Sequence, residues 1–269
     1  MPLSTHRTKK ALGQHFLTDP AVVGRILAAI DPQPGDRLVE IGPGAGALTF
    51  PLLERHRRLT VIEFDRDLIQ PLREAARGRG ELELVHADVL AVDLAALAGE
   101  GPIRLVGNLP YNISSPILFH ALGHLRVIRD MHFMLQKEVV QRMGAAPGSK
   151  EYGRLSVMLQ VHCHVEPLFV VPPSAFRPPP RVDSAVVRLV PRPVHEVAVR
   201  NPAVLERVVK AAFAQRRKTL RNALAGTAPP ALLEGLGIDP GWRAERLAVR
   251  DFVRLANALA ETPPAASVQ

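Results

Sequence analysis

Cysteine is nearly absent from this sequence: Cys163 is the only one in 269 residues. An internal disulfide is thereby excluded, which fits a reducing cytosol. No apolar run approaches the ~20 residues needed to span a bilayer, so a soluble, cytoplasmic protein is expected. The N-terminal basic residues Arg7, Lys9 and Lys10 are not followed by the apolar stretch of a signal peptide. Acids are missing from two places, residues 1–18 and residues 215–221.

What is present supports a folded, basic protein. Hydrophobic residues make up 47% and charged residues 22%, enough to bury a sizeable core. The net charge is +8, with a sequence pI of about 10.3. Such a balance fits a polyanionic partner, although a merely solvated basic surface carries the same charge. Clustering favours the partner. Arg216, Arg217, Lys218 and Arg221 fall within two helical turns, the clustering that a phosphate-tracking, nucleic-acid-binding surface needs.

Along the first two-thirds, strand-like and helix-like segments alternate. Strands are expected at 37–41, 59–63, 82–86, 103–106 and 131–135, with helices at 47–55, 67–77 and 117–125. This alternation implies an α/β fold, a Rossmann-like parallel sheet covered on both faces. Further on, a helix is expected at 152–159 and strands at 161–171 and 182–190, the last two joined by a stiff proline-rich connector. Helices at 203–213, 218–224, 231–236 and 250–259 then form a small all-α C-terminal domain. The expected division is 1–195, 196–262 and a frayed tail at 263–269.

In parallel sheets, ligands bind at the carboxyl ends of the strands, and the chemical signals fall there. Gly42, Gly44 and Gly46 follow the first strand, letting the backbone approach a ligand. Glu63 ends the second and can accept both hydroxyls of a ribose. Asp88 follows the third; it can accept from an adenine amine, or simply cap the next turn. Dinucleotides and S-adenosylmethionine share this geometry. Glu40, just before the turn, suits a cationic sulfonium better than a pyrophosphate. A tight turn with no ligand is the structural alternative.

The fourth strand ends in Asn108-Leu109-Pro110-Tyr111. The Asn108 side-chain oxygen and the Leu109 carbonyl can each accept one hydrogen of an exocyclic amine, while Pro110 sets the turn. Tyr111 can stack on the heterocycle, with Phe176 as its candidate partner on the other face. Phe176 could instead be a core anchor for the proline-rich segment. An amine delocalised into a purine is a poor nucleophile, so accepting its hydrogens favours a more tetrahedral nitrogen. Neither a dedicated general base nor a metal is expected.

Residues 10–17, the glycine turn, Glu63 to Asp67, Asn108 to Tyr111 and Phe176 to Ser184 occur in order at fitting spacing. Together they closely resemble the small-subunit (16S) ribosomal RNA adenine dimethyltransferases, over nearly the whole chain. The resemblance implies a class I S-adenosylmethionine-dependent methyltransferase that dimethylates two adjacent adenosines near the 3′ end of the rRNA. It implies cofactor contacts from His15, Leu17, Gly42, Glu63, Asp88 and Asn108, with Gly44 in the same turn. It departs from the family at His15, where Asn is usual. The implied partners are small-subunit rRNA and the assembling small subunit, met by a monomer.

Three rivals remain. One is a large-subunit rRNA adenine methylase of the erythromycin-resistance type; another is an assembly factor that has lost activity. A nicotinamide-dependent dehydrogenase is the third. Other features read as structural. His162 and His164 would face away from Cys163 on a strand, Trp242 suits helix packing, and Gln136-Lys137-Glu138 suits a helix start.

Overall fold

The computed structural model describes residues 15–261. In chain order the first unit holds β1 (Phe16–Leu17), α1 (Pro20–Ile30), β2 (Arg37–Ile41), α2 (Thr49–His56), β3 (Arg58–Glu63), α3 (Arg66–Ala75) and β4 (Glu81–His86). There follow α4 (Leu94–Ala98), β5 (Ile103–Asn108), α5 (Ser114–Leu122) and β6 (Ile128–Gln136). Next come α6 (Lys137–Met143), α7 (Arg154–His162), β7 (Cys163–Val171), β8 (Phe176–Arg177) and β9 (Ser184–Pro191). The rest is helical: α8 (Val194–Val197), α9 (Pro202–Phe213), α10 (Leu220–Ala223), α11 (Pro230–Gly235) and α12 (Val249–Glu261).

Seven strands form one sheet in the order β4-β3-β2-β5-β6-β9-β7. The five from β4 to β6 run parallel, and β9 returns antiparallel to β6. The central strands are buried along almost their whole length, as β2 and β5 show. That is why they read as continuous apolar runs rather than alternating ones. Gly107 lets β5 lie close to β2, since a Cβ there would sit 2.5 Å from the Ile41 carbonyl oxygen.

Two elements of the first unit left little periodic signal. The helix α1 is started by Asp19, whose carboxylate accepts from the N–H groups of Ala21 and Val22, with Pro20 at its first turn. This Asp-Pro pair is a sequence-readable helix start. The short pairing of β1 with β8 joins Leu17 to Phe176 across the chain, which no local pattern announces.

The chain divides into two compact units, residues 1–140 with 166–191, and residues 141–165 with 192–269. The expected 1–195 and 196–262 division differs from this one, because 141–165 belongs with the C-terminal helices. There α7 packs against α9 and α12. Tyr152 is fully buried and donates to the Leu247 carbonyl at 3.0 Å. Phe213 meets the Tyr152 ring edge-on at 6.0 Å and lies 5.6 Å from Phe252. The expected tail at 263–269 and the basic residues of the N-terminus lie outside the described residues.

Candidate active site

A crevice of about 270 Å³ opens over the carboxyl ends of β2, β3 and β5, with the turn after β4 beside it. Its floor is the glycine turn. Gly42, Gly44 and Gly46 have φ of 66°, 54° and 83°. A Cβ at Gly46 would lie 2.3 Å from the Phe50 ring, so this turn tolerates no side chain there. The α2 helix follows, starting at Thr49.

Three acids line the crevice. Glu63 accepts from the backbone N–H of Gly44 at 3.2 Å and of Asp65 at 2.7 Å. Burial raises its pKa, and those N–H groups offset part of the rise. Asp88 caps the next turn by accepting from Leu90 N–H at 2.9 Å, through Oδ1 alone. The capping reading of Asp88 therefore holds alongside its place in the crevice. Glu40, only 1% exposed, accepts from the Thr49 hydroxyl at 2.7 Å. Sequence reasoning used Glu40 only to weigh ligands, and missed Phe64 altogether. Phe64 is 61% exposed, a flat apolar face beside Glu63. An aromatic residue directly after a strand-ending acid was the available signal.

The Asn-Leu-Pro-Tyr turn closes the opposite wall. Asn108 donates through Nδ2 to the His15 carbonyl at 3.1 Å. Its amide is thereby oriented, and Oδ1 is the end left to accept. Leu109 donates its N–H to the Met134 carbonyl at 3.1 Å, fixing the turn to β6. The Tyr111 hydroxyl lies 2.6 Å from Ser184 Oγ, and burial raises its pKa. The His15 ring stacks on Tyr111 with centroids 5.5 Å apart and planes 27° apart, and its Nδ1 lies 2.8 Å from the Pro178 carbonyl oxygen. His15, Leu17, Gly42, Gly44, Glu63, Asp88, Asn108, Leu109, Pro110 and Tyr111 are all brought to this one crevice.

Phe176 is not. It is fully buried in the hydrophobic core with Leu17, Val171 and Ala175, so the expectation that it sandwiches a base with Tyr111 is corrected in this structure. Pairing with β1 draws it inward, and the core-anchor reading describes it. The cations at 216–221 are also placed differently from the expected helical turns. All four are exposed, but they lie mainly in the turn between α9 and α10. There Arg216 reaches the carbonyl of Lys150 and an acid, Glu245, at 3.9 Å. His162 closes α7 rather than sitting on a strand, and Cys163 is buried.

The crevice carries three acids and, among the described residues that line it, no lysine or arginine. A pyrophosphate would find no cation there, whereas a cationic sulfonium ligand fits. Sheet order, glycine turn and strand-end acid together define a class I methyltransferase, an S-adenosylmethionine-dependent enzyme.

Comparison with known proteins narrows the class. The family model described as ribosomal RNA adenine dimethylase matches residues 5–261. The Xanthomonas campestris protein named Ribosomal RNA small subunit methyltransferase A is 65% identical over 249 residues, 93% of this chain and 95% of its own. A namesake from Xanthomonas oryzae matches at the same identity and coverage. Among solved structures, a dimethyladenosine transferase from Plasmodium falciparum superposes with a TM-score of 0.77 at 26% identity, covering 91% of this chain and 98% of its own. The 23S rRNA methyltransferase ErmE gives 0.66 at 28% identity, over 91% of this chain and 100% of its own. The chain belongs to the ribosomal RNA adenine dimethylase family.

Proposed function

We propose that this enzyme transfers methyl groups from S-adenosylmethionine to the exocyclic amines of two adjacent adenosines near the 3′ end of small-subunit (16S) rRNA, during assembly of that subunit. The observation that carries the reading is the oriented Asn108 amide. Its nitrogen is committed to the His15 carbonyl, leaving its oxygen as an acceptor beside a crevice that carries three acids and, among the described residues lining it, no lysine or arginine.

Glu63 would hold the ribose hydroxyls, Asp88 the adenine amine, and the glycine turn the methionine end of the cofactor, with Phe64 against the purine. When bound, the cofactor supplies an electrophilic methyl on a cationic sulfur. The chain does the rest by position. Asn108 Oδ1 and the Leu109 carbonyl accept the two hydrogens of the target amine, turning its lone pair out of the purine ring. Tyr111, held by Ser184, stacks on the base, which must be splayed from its neighbours. After one methylation a single N–H remains, so one of the two acceptors is released for the second transfer. Alignment supplies much of the rate, and the proton lost from the amine passes to solvent.

The identity of the relatives supports a small-subunit target; the likeness to a 23S rRNA methyltransferase keeps the large subunit as the second reading. Asn108→Ala should reduce methyl transfer at least a hundredfold while subunit binding persists, because the acceptor for the amine is lost together with the bond to the His15 carbonyl. Unchanged transfer would overturn the mechanism. Mass spectrometry of rRNA from cells lacking the gene should show dimethyladenosine missing from the 3′ end of the small-subunit rRNA; its retention there would refute the substrate.

A further inference from the structure

Glu40 lies at the bottom of the crevice, and its surroundings are unusual for a carboxyl group. It is 1% exposed, and it accepts a hydrogen bond from the neutral Thr49 hydroxyl at 2.7 Å. Its pairing partners in the neighbouring strands, Val61 on β3 and Val106 on β5, are apolar. The nearest acid acting on it is Glu63, on β3, which adds repulsion. Among the described residues no lysine, arginine or histidine forms an ion pair with it. A fully buried carboxylate with no cation is costly, and such a group stays neutral until a cation arrives. Burial, assisted by Glu63, accordingly pushes the Glu40 pKa up to about 8.

Resting on the cofactor reading above, we propose that Glu40 is the residue that distinguishes the cationic methyl donor from its neutral product, by releasing a proton when the sulfonium binds and recovering one when only the thioether remains. The protons balance. The free protein holds Glu40 as COOH; donor binding sends that proton to solvent and leaves a carboxylate facing the positive ligand. Methyl transfer neutralises the sulfur and frees one proton from the amine. The carboxylate then has no counterion and takes up a proton. Over a cycle one proton is released, that of the amine. Specificity for donor over product then comes from charge at a buried point, where it is least screened.

The sign follows from the raised pKa. Below about pH 8 the free protein is protonated at Glu40. Donor binding therefore strengthens as pH rises toward that value, by up to about tenfold per pH unit, while product binding stays flat. Above it, the donor's dependence levels and the product weakens.

The test is calorimetry on the full-length protein, with S-adenosylmethionine and S-adenosylhomocysteine as probes, in buffers of different ionisation enthalpy. At pH 7 the donor should release about one more proton than the product, a difference in which groups common to both ligands cancel. Glu40→Gln keeps an acceptor for Thr49. It should abolish that difference, weaken the donor at least about tenfold and change the product less than about threefold. Equal proton release with both ligands in the wild type, which needs no variant to fold, would overturn the proposal. So would an equal loss of both ligands in Glu40→Gln. If neither ligand binds the wild type, the cofactor reading itself fails.

Discussion

Tyr111 is held from one side by Ser184, which ends the proline-rich segment and is fully buried. Without that hydroxyl the ring keeps its place in the turn but loses its aim. Ser184→Ala should lower kcat about three- to tenfold, the worth of one such hydrogen bond, and leave cofactor affinity unchanged. Tyr111→Phe should lose as much, and the double variant no more than either; additive losses would show that the pair does not act together. Phe176 belongs to a different account. As a core ring, its replacement by Ala should cost about 3–5 kcal/mol in a denaturant titration. At this scale the placement of Glu63, Asp88 and Asn108 at the crevice was legible because each ends or closely follows an apolar strand run. Phe176 was legible only as two alternatives, since its burial depends on a partner, Leu17, far away in sequence.

Among the elements, the amino ends of β2, β5 and β6 are tied together far from the crevice by Arg104. It donates to Asp130 at 2.9 Å, to Asp36 at 2.6 Å and to the Ile30 carbonyl at 2.6 Å. Burial alone would raise both aspartates, but their hydrogen bonds and the Arg104 charge win, and both pKa values are lowered. A lowered folded pKa contributes stability that is complete above the unfolded value and disappears as pH falls through the folded one. The contribution of this cluster should therefore be lost only in acid below about pH 4. Arg104→Met takes the shared cation from Asp130 and from Asp36, which keeps only Arg129, and should cost about 3–5 kcal/mol at pH 7. Their pKa values then rise, so the variant should regain part of that loss on mild acidification. Denaturant midpoints of wild type and variant from about pH 2.5 to 7 check both signs. The strands were readable as apolar runs; this cluster was not, because an arginine inside such a run looks local until three strands are set side by side. Helix α1 was missed for a simpler reason: its readable signal was the Asp-Pro start alone, with little amphipathic repeat behind it.

For the molecule as a whole, charge and connectivity matter most. The net charge of +8 and the exposed turn holding Arg217, Lys218 and Arg221 support an RNA-tracking surface in the second unit. Changing those three to Gln should reduce the slope of log affinity against log salt by about two, measured on small-subunit RNA. An unchanged slope would remove that turn from the interface. Composition and length led to the expectation of a basic surface and of a large part with a small one. They could not foretell that the second unit draws on two separate stretches, since 141–165 carries helix and strand patterns of the same kind as its surroundings.

That split has a consequence for how the chain is made. During synthesis, Tyr152 and the apolar face of α7, including Leu155, Val157 and Leu159, are complete before α9 and α12 exist. The first unit can gather its sheet from residues already made, but this helix must wait for sequence about a hundred residues later. A nascent chain stalled near residue 195 would therefore present an unsheltered greasy helix to chaperones and proteases, and only the last helix to emerge ends that exposure.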